Sequence, residues 1–299
     1  MNPARQIGPV DTMVSIVMPS MNQAPFIAEA INSVLGQDHA HLELIVADGG
    51  SVDGTVALLE RAARQDPRLR WTSAPDAGPA HALNKALRQA RGTVIGWLNS
   101  DDVYTQGAVA RAVAALDLHP HWLMLYGQGR HIDAQGGLIG DYPTFAPPTA
   151  IERFAQGCFI CQPTVFMRRT LWLLLGDLDQ GLATAFDFDY WLRVYKTWPG
   201  RVGFVDAVQA GSRLHDQCIT VRMRRTVVVE GMRVLARHLG SAPMDWFLGY
   251  ASGLDGGAGG GAQSAERVAH LCELLQEVRP CLTTSQAGEL ERRLAACSL

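Results

Sequence analysis

An apolar run, Val94-Ile95-Gly96-Trp97-Leu98, stops abruptly at Asn99-Ser100-Asp101-Asp102. Unbroken apolar character over a few residues reads as a buried strand. A buried strand that ends in acids delivers them to the carboxyl edge of a sheet, where open α/β sheets bind ligands. Two adjacent carboxylates repel each other unless a cation or hydrogen-bond donors sit between them. A hard divalent ion such as Mg2+ or Mn2+, bridging to a diphosphate, suits oxygen ligands of this kind. A solvated turn or a helix N-cap is the plainer use of the same residues, so the weight falls on what surrounds them.

Two further β-rich runs lie upstream, Val14-Ser15-Ile16-Val17-Met18-Pro19 and Leu42-Glu43-Leu44-Ile45-Val46-Ala47. Between them Ile27, Ala30, Ile31, Val34 and Leu35 recur at helical spacing. The second run passes into an acidic glycine turn, Asp48-Gly49-Gly50-Ser51-Val52-Asp53-Gly54-Thr55, with Asp53 suited to capping the next helix. This is a βαβ unit with a ligand-binding turn at its strand end. A helix over 57–63, a strand near Leu69-Arg70-Trp71 and a helix striped by Ala80, Leu83, Ala86, Leu87 and Ala90 continue the alternation, with Gly92 expected to stop that helix. A helix over 107–118 and a strand over 122–126 follow. Residues 127–148 are rich in Gly and Pro, with a hairpin expected around Asp133–Gly137. Residues 149–220 read as short helices, Phe186–Thr197 the clearest. Beyond 222 come a helix through Leu239, a Gly-rich linker over 253–261, and two amphipathic helices at 264–278 and 284–296. Those two are expected to pair as a hairpin or to mediate homodimer formation.

Taken in order, several motifs resemble those of family 2 glycosyltransferases. They are Val17-Met18-Pro19-Ser20-Met21-Asn22, Ala47–Thr55, Ser73–Gly78 with Asn84-Lys85, Asn99–Asp102, Gln162-Pro163-Thr164, Asp187–Arg193 and His215. The resemblance implies an α/β protein of the GT-A fold, a Rossmann-like mixed sheet flanked by helices with a C-terminal helical extension. Residues 1–12 would be a leader, 13–221 the nucleotide-sugar-binding and catalytic domain, and 222–299 the extension. The implied reaction moves a sugar, with inversion, from a nucleoside-diphosphate donor to a hydroxyl acceptor such as a glycan or lipid-linked glycan. Its context would be cell-surface polysaccharide or other glycoconjugate synthesis. UDP leads among the donors, while thymidine and guanosine nucleotides stay open.

By the same resemblance, Pro19, Ser20, Asn22, Asp48, Asp76, Asn84, Lys85, Asn99, Ser100 and Asp101 would meet the donor. Asp101, Asp102 and His215 would hold Mg2+ or Mn2+. Asp187 would be the general base that takes the acceptor's proton, with Asp189 its rival. The family's usual Asp-x-Asp reads Asn99-x-Asp101 here, which removes one charge from the ligand set.

Two other classes compete. A nucleotidyltransferase would carry a glycine-rich basic loop after its first strand, where Ser20-Met21-Asn22-Gln23 stands. A non-catalytic nucleotide-sugar-binding protein would have no need of Asp101, Asp102 and Asp187 together. A net charge of −3 gives no electrostatic case for a nucleic-acid partner. With 47% hydrophobic and 18% charged residues over 299 positions, the chain has a globular composition. No signal-peptide core opens it, and no apolar run approaches the roughly 20 residues that span a bilayer. The expected location is the cytoplasm, or peripherally the inner face of the membrane where the acceptor is lipid-linked. Cys158-x-x-Cys161 lacks the second pair a zinc site needs, so the six cysteines are expected as free thiols.

Overall fold

The computed structural model describes residues 12–254 and 265–296. The expected leader falls outside them save for its last residue, as do most of the expected linker and Cys297. The chain divides into two compact units.

The first unit comprises Met1–Thr149, Phe159–Gln180 and Trp198–His215. It opens with β1 (Val14–Ser20), α1 (Ile27–Leu35), β2 (Leu42–Asp48), α2 (Thr55–Gln65), β3 (Leu69–Ser73), α3 (Pro79–Gln89) and β4 (Val94–Trp97). Then come β5 (Val103–Tyr104), α4 (Ala108–Leu118), β6 (Met124–Ile132), β7 (Leu138–Asp141), β8 (Phe166–Arg168), α5 (Arg169–Leu175) and, after a segment of the other unit, β9 (Val202–Arg213). These strands form one mixed sheet in the order β3-β2-β1-β4-β8-β6-β9-β5, with β7 on β6. The β3-β2-β1-β4 half is parallel, and β8 joins it antiparallel to β4.

Every residue of β1 and β2 is buried, as a parallel sheet covered on both faces requires. Helix α1 supplies Ile27, Ala30, Ile31 and Val34 to that cover, and α4 supplies Ala108, Val109, Ala112, Val113 and Leu116. Helix α3 begins at Pro79, whose fixed φ suits a first helical position. It ends at Gln89 with Ala90 as its cap, so Gly92 is not its stop. A Cβ on Gly92 would fall 2.6 Å from the Ser15 amide nitrogen, and the residue's smallness serves close approach to β1.

Short helices do lie within 149–220, but strands β8 and β9, not expected from the sequence, lie there as well. Strand β9 runs parallel to β6 with register shifts at Gly127/Gln128 and Gln128/Gly129, and these irregularities break the alternation that sequence reading depends on.

The second unit gathers Ala150–Cys158, Gly181–Thr197 and Asp216–Leu299. It holds a 3₁₀ turn (Ile151–Gln156), α6 (Phe186–Thr197), α7 (Ile219–Arg222), α8 (Arg224–Leu239), α9 (Asp245–Gly253), α10 (Ala265–Val278) and α11 (Thr284–Ala295). Helix α8 is its axis and packs against α6, α9 and α10. Helices α10 and α11 pair as the sequence suggests, and a capping box between Thr283 and Gln286 starts the latter. Helix α9 occupies ground the sequence had left between a helix and a linker, and it takes in Gly253. This unit does not begin at residue 222, because α6 and the 3₁₀ turn belong to it. Among the described residues no helix is long and apolar enough to cross a membrane, and Cys158, Cys161, Cys218, Cys272 and Cys281 are free.

Candidate active site

Parallel register brings Ser20, Asp48 and Ser73 side by side at the carboxyl ends of β1, β2 and β3. Asp48 organises the turn after β2. Its Oδ2 accepts from the amides of Gly50 (3.0 Å) and Ser51 (2.9 Å) and from the Ser73 hydroxyl (2.7 Å). Its Oδ1 accepts from the Ser51 hydroxyl at 2.5 Å. Burial alone would raise this carboxyl's pKa, but the donors from Ser51, Ser73 and Gly50 outweigh it and hold the group ionised below its ordinary range.

Asn22 has a left-handed backbone, φ 53°. It donates its N–H to Ser51 Oγ and accepts from the Val52 N–H, locking the end of β1 to the same turn. Asp53 accepts from the amides of Thr55 and Ala24, but the cap position of α2 is Gly54, so Asp53 braces the turn one residue ahead of the expected cap. Pro19 pairs with Ala47 within the sheet. Ser20 is buried, and its hydroxyl has no hydrogen-bond partner among the described residues. Asp76 accepts from the Gly78 amide at 2.8 Å and lies against Gly49, where an added Cβ would sit 3.0 Å from its Oδ2.

Two expected donor contacts are used otherwise. Asn84 is fully buried, and its amide makes two 3.0 Å bonds with the backbone of Leu178, so it holds that loop rather than facing a ligand. Asn99 accepts from the Trp97 indole and donates to Asp102. Lys85 is half-buried, and Ser100 is buried.

The acids after β4 divide their work. The Asp101 side chain is 15% exposed, and its Oδ2 lies 3.1 Å from Nε2 of His215, whose ring packs on Phe26. Asp102 turns inward and accepts from the Arg213 amide at 2.8 Å and from Asn99 at 3.2 Å. Burial first, and the neighbouring Asp101 charge second, push its pKa well above the usual carboxylate range.

Arg213 was not singled out in the sequence. It ties this corner together, donating to the Asp101 carbonyl (2.7 Å), to the carbonyls of Asp133 and Ala134, and to Glu29 (2.7 Å). Only its place two residues before His215 hinted at it.

No group of three His, Cys, Asp or Glu side chains stands ready for a metal among the described residues. Asp101 still suits a divalent ion, because Mg2+ is commonly held by one or two carboxylates plus substrate phosphates, and His215 could join it as a neutral imidazole once the proton shared across their 3.1 Å contact is displaced. Asp102 is buried and turned inward onto Arg213 and Asn99, and it does not join that set in this structure.

In the second unit, Asp187 stands in the first turn of α6, and its Oδ1 accepts from the Phe188 amide at 2.7 Å. Burial raises its pKa to about 6 against the opposing pull of nearby amides. Asp189 is buried, ion-paired with Arg193 (3.1 Å) and Arg237 (3.3 Å), and 2.8 Å from Nε2 of His238. Glu230 of α8, also unforeseen, accepts from the amides of Ala183, Thr184 and Ala185 immediately before α6. It pins the residues that lead into α6, the Ala185 N–H at the helix start among them.

The Glycosyl transferase family 2 model matches residues 15–172, just over half of the chain, and the protein belongs to that family. Chondroitin synthase of Escherichia coli is 28% identical over 187 residues, 62% of this chain and 27% of that protein. The chain spans well under two thirds of the length of the curated relatives it matches most strongly. TarS residues 1–349 of S. aureus, solved in complex with UDP-GlcNAc, superposes with a TM-score of 0.63 at 18% identity, covering 96% of this chain and 88% of that one. The mannosyltransferase PcManGT of Pyrobaculum calidifontis, solved with GDP-Man and Mn2+, gives 0.59 at 19% identity, covering 96% and 81%. At these identities the likeness shows a shared fold, the GT-A arrangement of a mixed sheet flanked by helices.

Proposed function

We propose that this protein transfers a sugar from a UDP-sugar to a hydroxyl of a glycan acceptor in a single inverting displacement. The observation that carries the reading is the Asp101–His215 pair just beyond the carboxyl end of β4, on the strand edge that also presents the Asp48 turn. The UDP-GlcNAc bound by TarS, the Mn2+ bound by PcManGT, and the polysaccharide made by the chondroitin synthase support it.

In this reading Asp48 Oδ1, which accepts from one hydroxyl, keeps a lone pair for the N3–H of uracil. The Asn22–Ser51 clamp fixes the turn against which the nucleoside lies. Asp101 and His215 would hold Mg2+ or Mn2+, which when bound neutralises charge gathering on the departing diphosphate. Asp187 takes the proton of the acceptor hydroxyl as that oxygen bonds to the anomeric carbon and the bond to the diphosphate breaks. One base and one displacement invert the anomeric centre. The site of action would be the cytoplasm or the inner face of a membrane that carries the acceptor.

Thermal unfolding with UDP, with and without Mn2+, tests the metal. A ligand at a hundredfold excess over its dissociation constant stabilises by about 2.7 kcal/mol. The Mn2+-dependent part of the UDP response should vanish in Asp101→Asn while the circular dichroism spectrum stays unchanged. An undiminished Mn2+ response in that variant removes Asp101 from the site.

A further inference from the structure

The second unit carries an open cavity of about 710 Å3, a size within the roughly 300–1,000 Å3 typical of small-molecule sites. It lies among the 3₁₀ turn, the starts of α7 and α8, and α9. Its wall is built around Trp246, whose indole N–H donates to the Ala155 carbonyl at 2.8 Å and so fixes the ring plane. Gly231 makes room for that ring, since a Cβ there would fall 2.3 Å from it. Tyr250 is held by a 2.9 Å hydrogen bond to His270, and Val227 and Val228 extend the apolar lining. Polar groups interrupt it: Gln156, Thr220, Arg224 and Asp245.

The chemistry of this lining selects among ligands. All four polar side chains are exposed and form a hydrated rim around the apolar wall, so an alkyl chain would use the wall and leave the rim's hydrogen-bonding groups without a part in recognition. An anion would meet one arginine balanced by one aspartate, with no excess of positive charge to receive it. A flat neutral ligand with apolar faces and a rim of hydroxyls satisfies both halves of the lining, and a pyranose ring has that form. The position agrees, because Trp246 packs against Phe188, the residue after Asp187, with ring centroids 5.6 Å apart.

We propose that this cavity is an acceptor subsite, holding neutral pyranose residues of the acceptor glycan against Trp246. The inference rests on the glycosyltransferase reading for the word acceptor. The sugar binding itself can be measured without any donor.

The test is saturation-transfer NMR on the full chain with methyl β-glucopyranoside, methyl β-galactopyranoside and methyl N-acetyl-β-glucosaminide, with n-octyl phosphate as the apolar anion. At least one glycoside should receive saturation at its ring protons, and Trp246→Ala should lose it. Gly249→Leu is the second variant. Gly249 lines the cavity mid-helix, an added Cβ there meets nothing within 4 Å, and leucine is the better helix former. Gly249→Leu should fill the mouth, abolish the glycoside signal and leave the UDP response intact. Absence of signal for every glycoside, its persistence in folded Gly249→Leu, or saturation of octyl phosphate alone would overturn the proposal. If glycosides bind as expected while the wild type transfers no sugar from any UDP-sugar, the glycoside site stands and both the UDP-sugar transferase reading and the acceptor role fall. If transfer proceeds and no glycoside binds, the transferase reading stands and the subsite falls.

Discussion

Two aspartates two residues apart on α6 have opposite surroundings. Asp189 is consumed by His238, Arg193 and Arg237, whereas burial alone dominates Asp187 and raises it to about 6. A raised carboxyl pKa means the folded protein holds that proton more tightly than the unfolded chain, whose value is about 3.9. The ionised Asp187 therefore costs stability, fully above pH about 6 and not at all below the unfolded value. Asp187→Asn should then melt higher than wild type at pH 7 to 8, with the gain closing as pH falls toward about 4. The same variant should lose transfer by roughly 10²–10⁴-fold with UDP affinity little changed. In the wild type kcat/KM should climb through pH about 6 to a plateau. A profile flat across that range, or a variant that still transfers, would take the base role from Asp187. The motif residues Asp48 and Asp101 could be placed from sequence because each sits where an apolar run ends. The Arg213 partner of Asp102 and the Leu178 partner of Asn84 could not, since they come from 111 and 94 residues away.

Helix α6 owes its start to another helix. Glu230 on α8 accepts from the Ala183, Thr184 and Ala185 amides and from the Thr184 hydroxyl, so α8 sets where the first turn of α6, and Asp187 with it, comes to lie. Glu230→Gln keeps the shape but replaces one accepting oxygen with a donor, leaving a part-buried amide unpaired at a cost of about 1–3 kcal/mol. Transfer should fall through kcat while UDP binding holds, and amide exchange at residues 183–185 should quicken. Unchanged exchange there would show that Glu230 does not govern the helix start. Nothing in the sequence around Glu230 marks this role, because a lone glutamate in an amphipathic helix reads as a surface charge. Strand β9 was missed for a related reason. Its pairing with β6 slips twice, so buried and open positions lose the strict period of two. By contrast β1, β2 and α1 were legible, since their burial follows directly from unbroken apolar runs and helical spacing.

At the scale of the molecule, the division does not follow chain order. The change of character near residue 222 suggests a catalytic domain followed by an extension. The helix bearing Asp187 nevertheless belongs with α8 to α11, and a contiguous reading has no means of moving it there. This changes what truncation should do. Ending the chain after Leu254 removes α10 and α11, and with them Leu271, Leu274, Leu275 and Val278, which are buried in the intact protein. Helix α8 packs on α10, so it loses a partner, and the Glu230 clamp on α6 loosens with it. The parallel half of the sheet, Asp48 and the Asp101–His215 pair all lie in the other unit. The truncated chain should therefore still bind UDP with Mn2+ by calorimetry, while amide exchange in α6 accelerates and transfer is lost. Loss of UDP binding together with the fold would show that the first unit cannot stand without residues 255–299. Retention of full transfer would show that α8 holds α6 in place without the C-terminal hairpin.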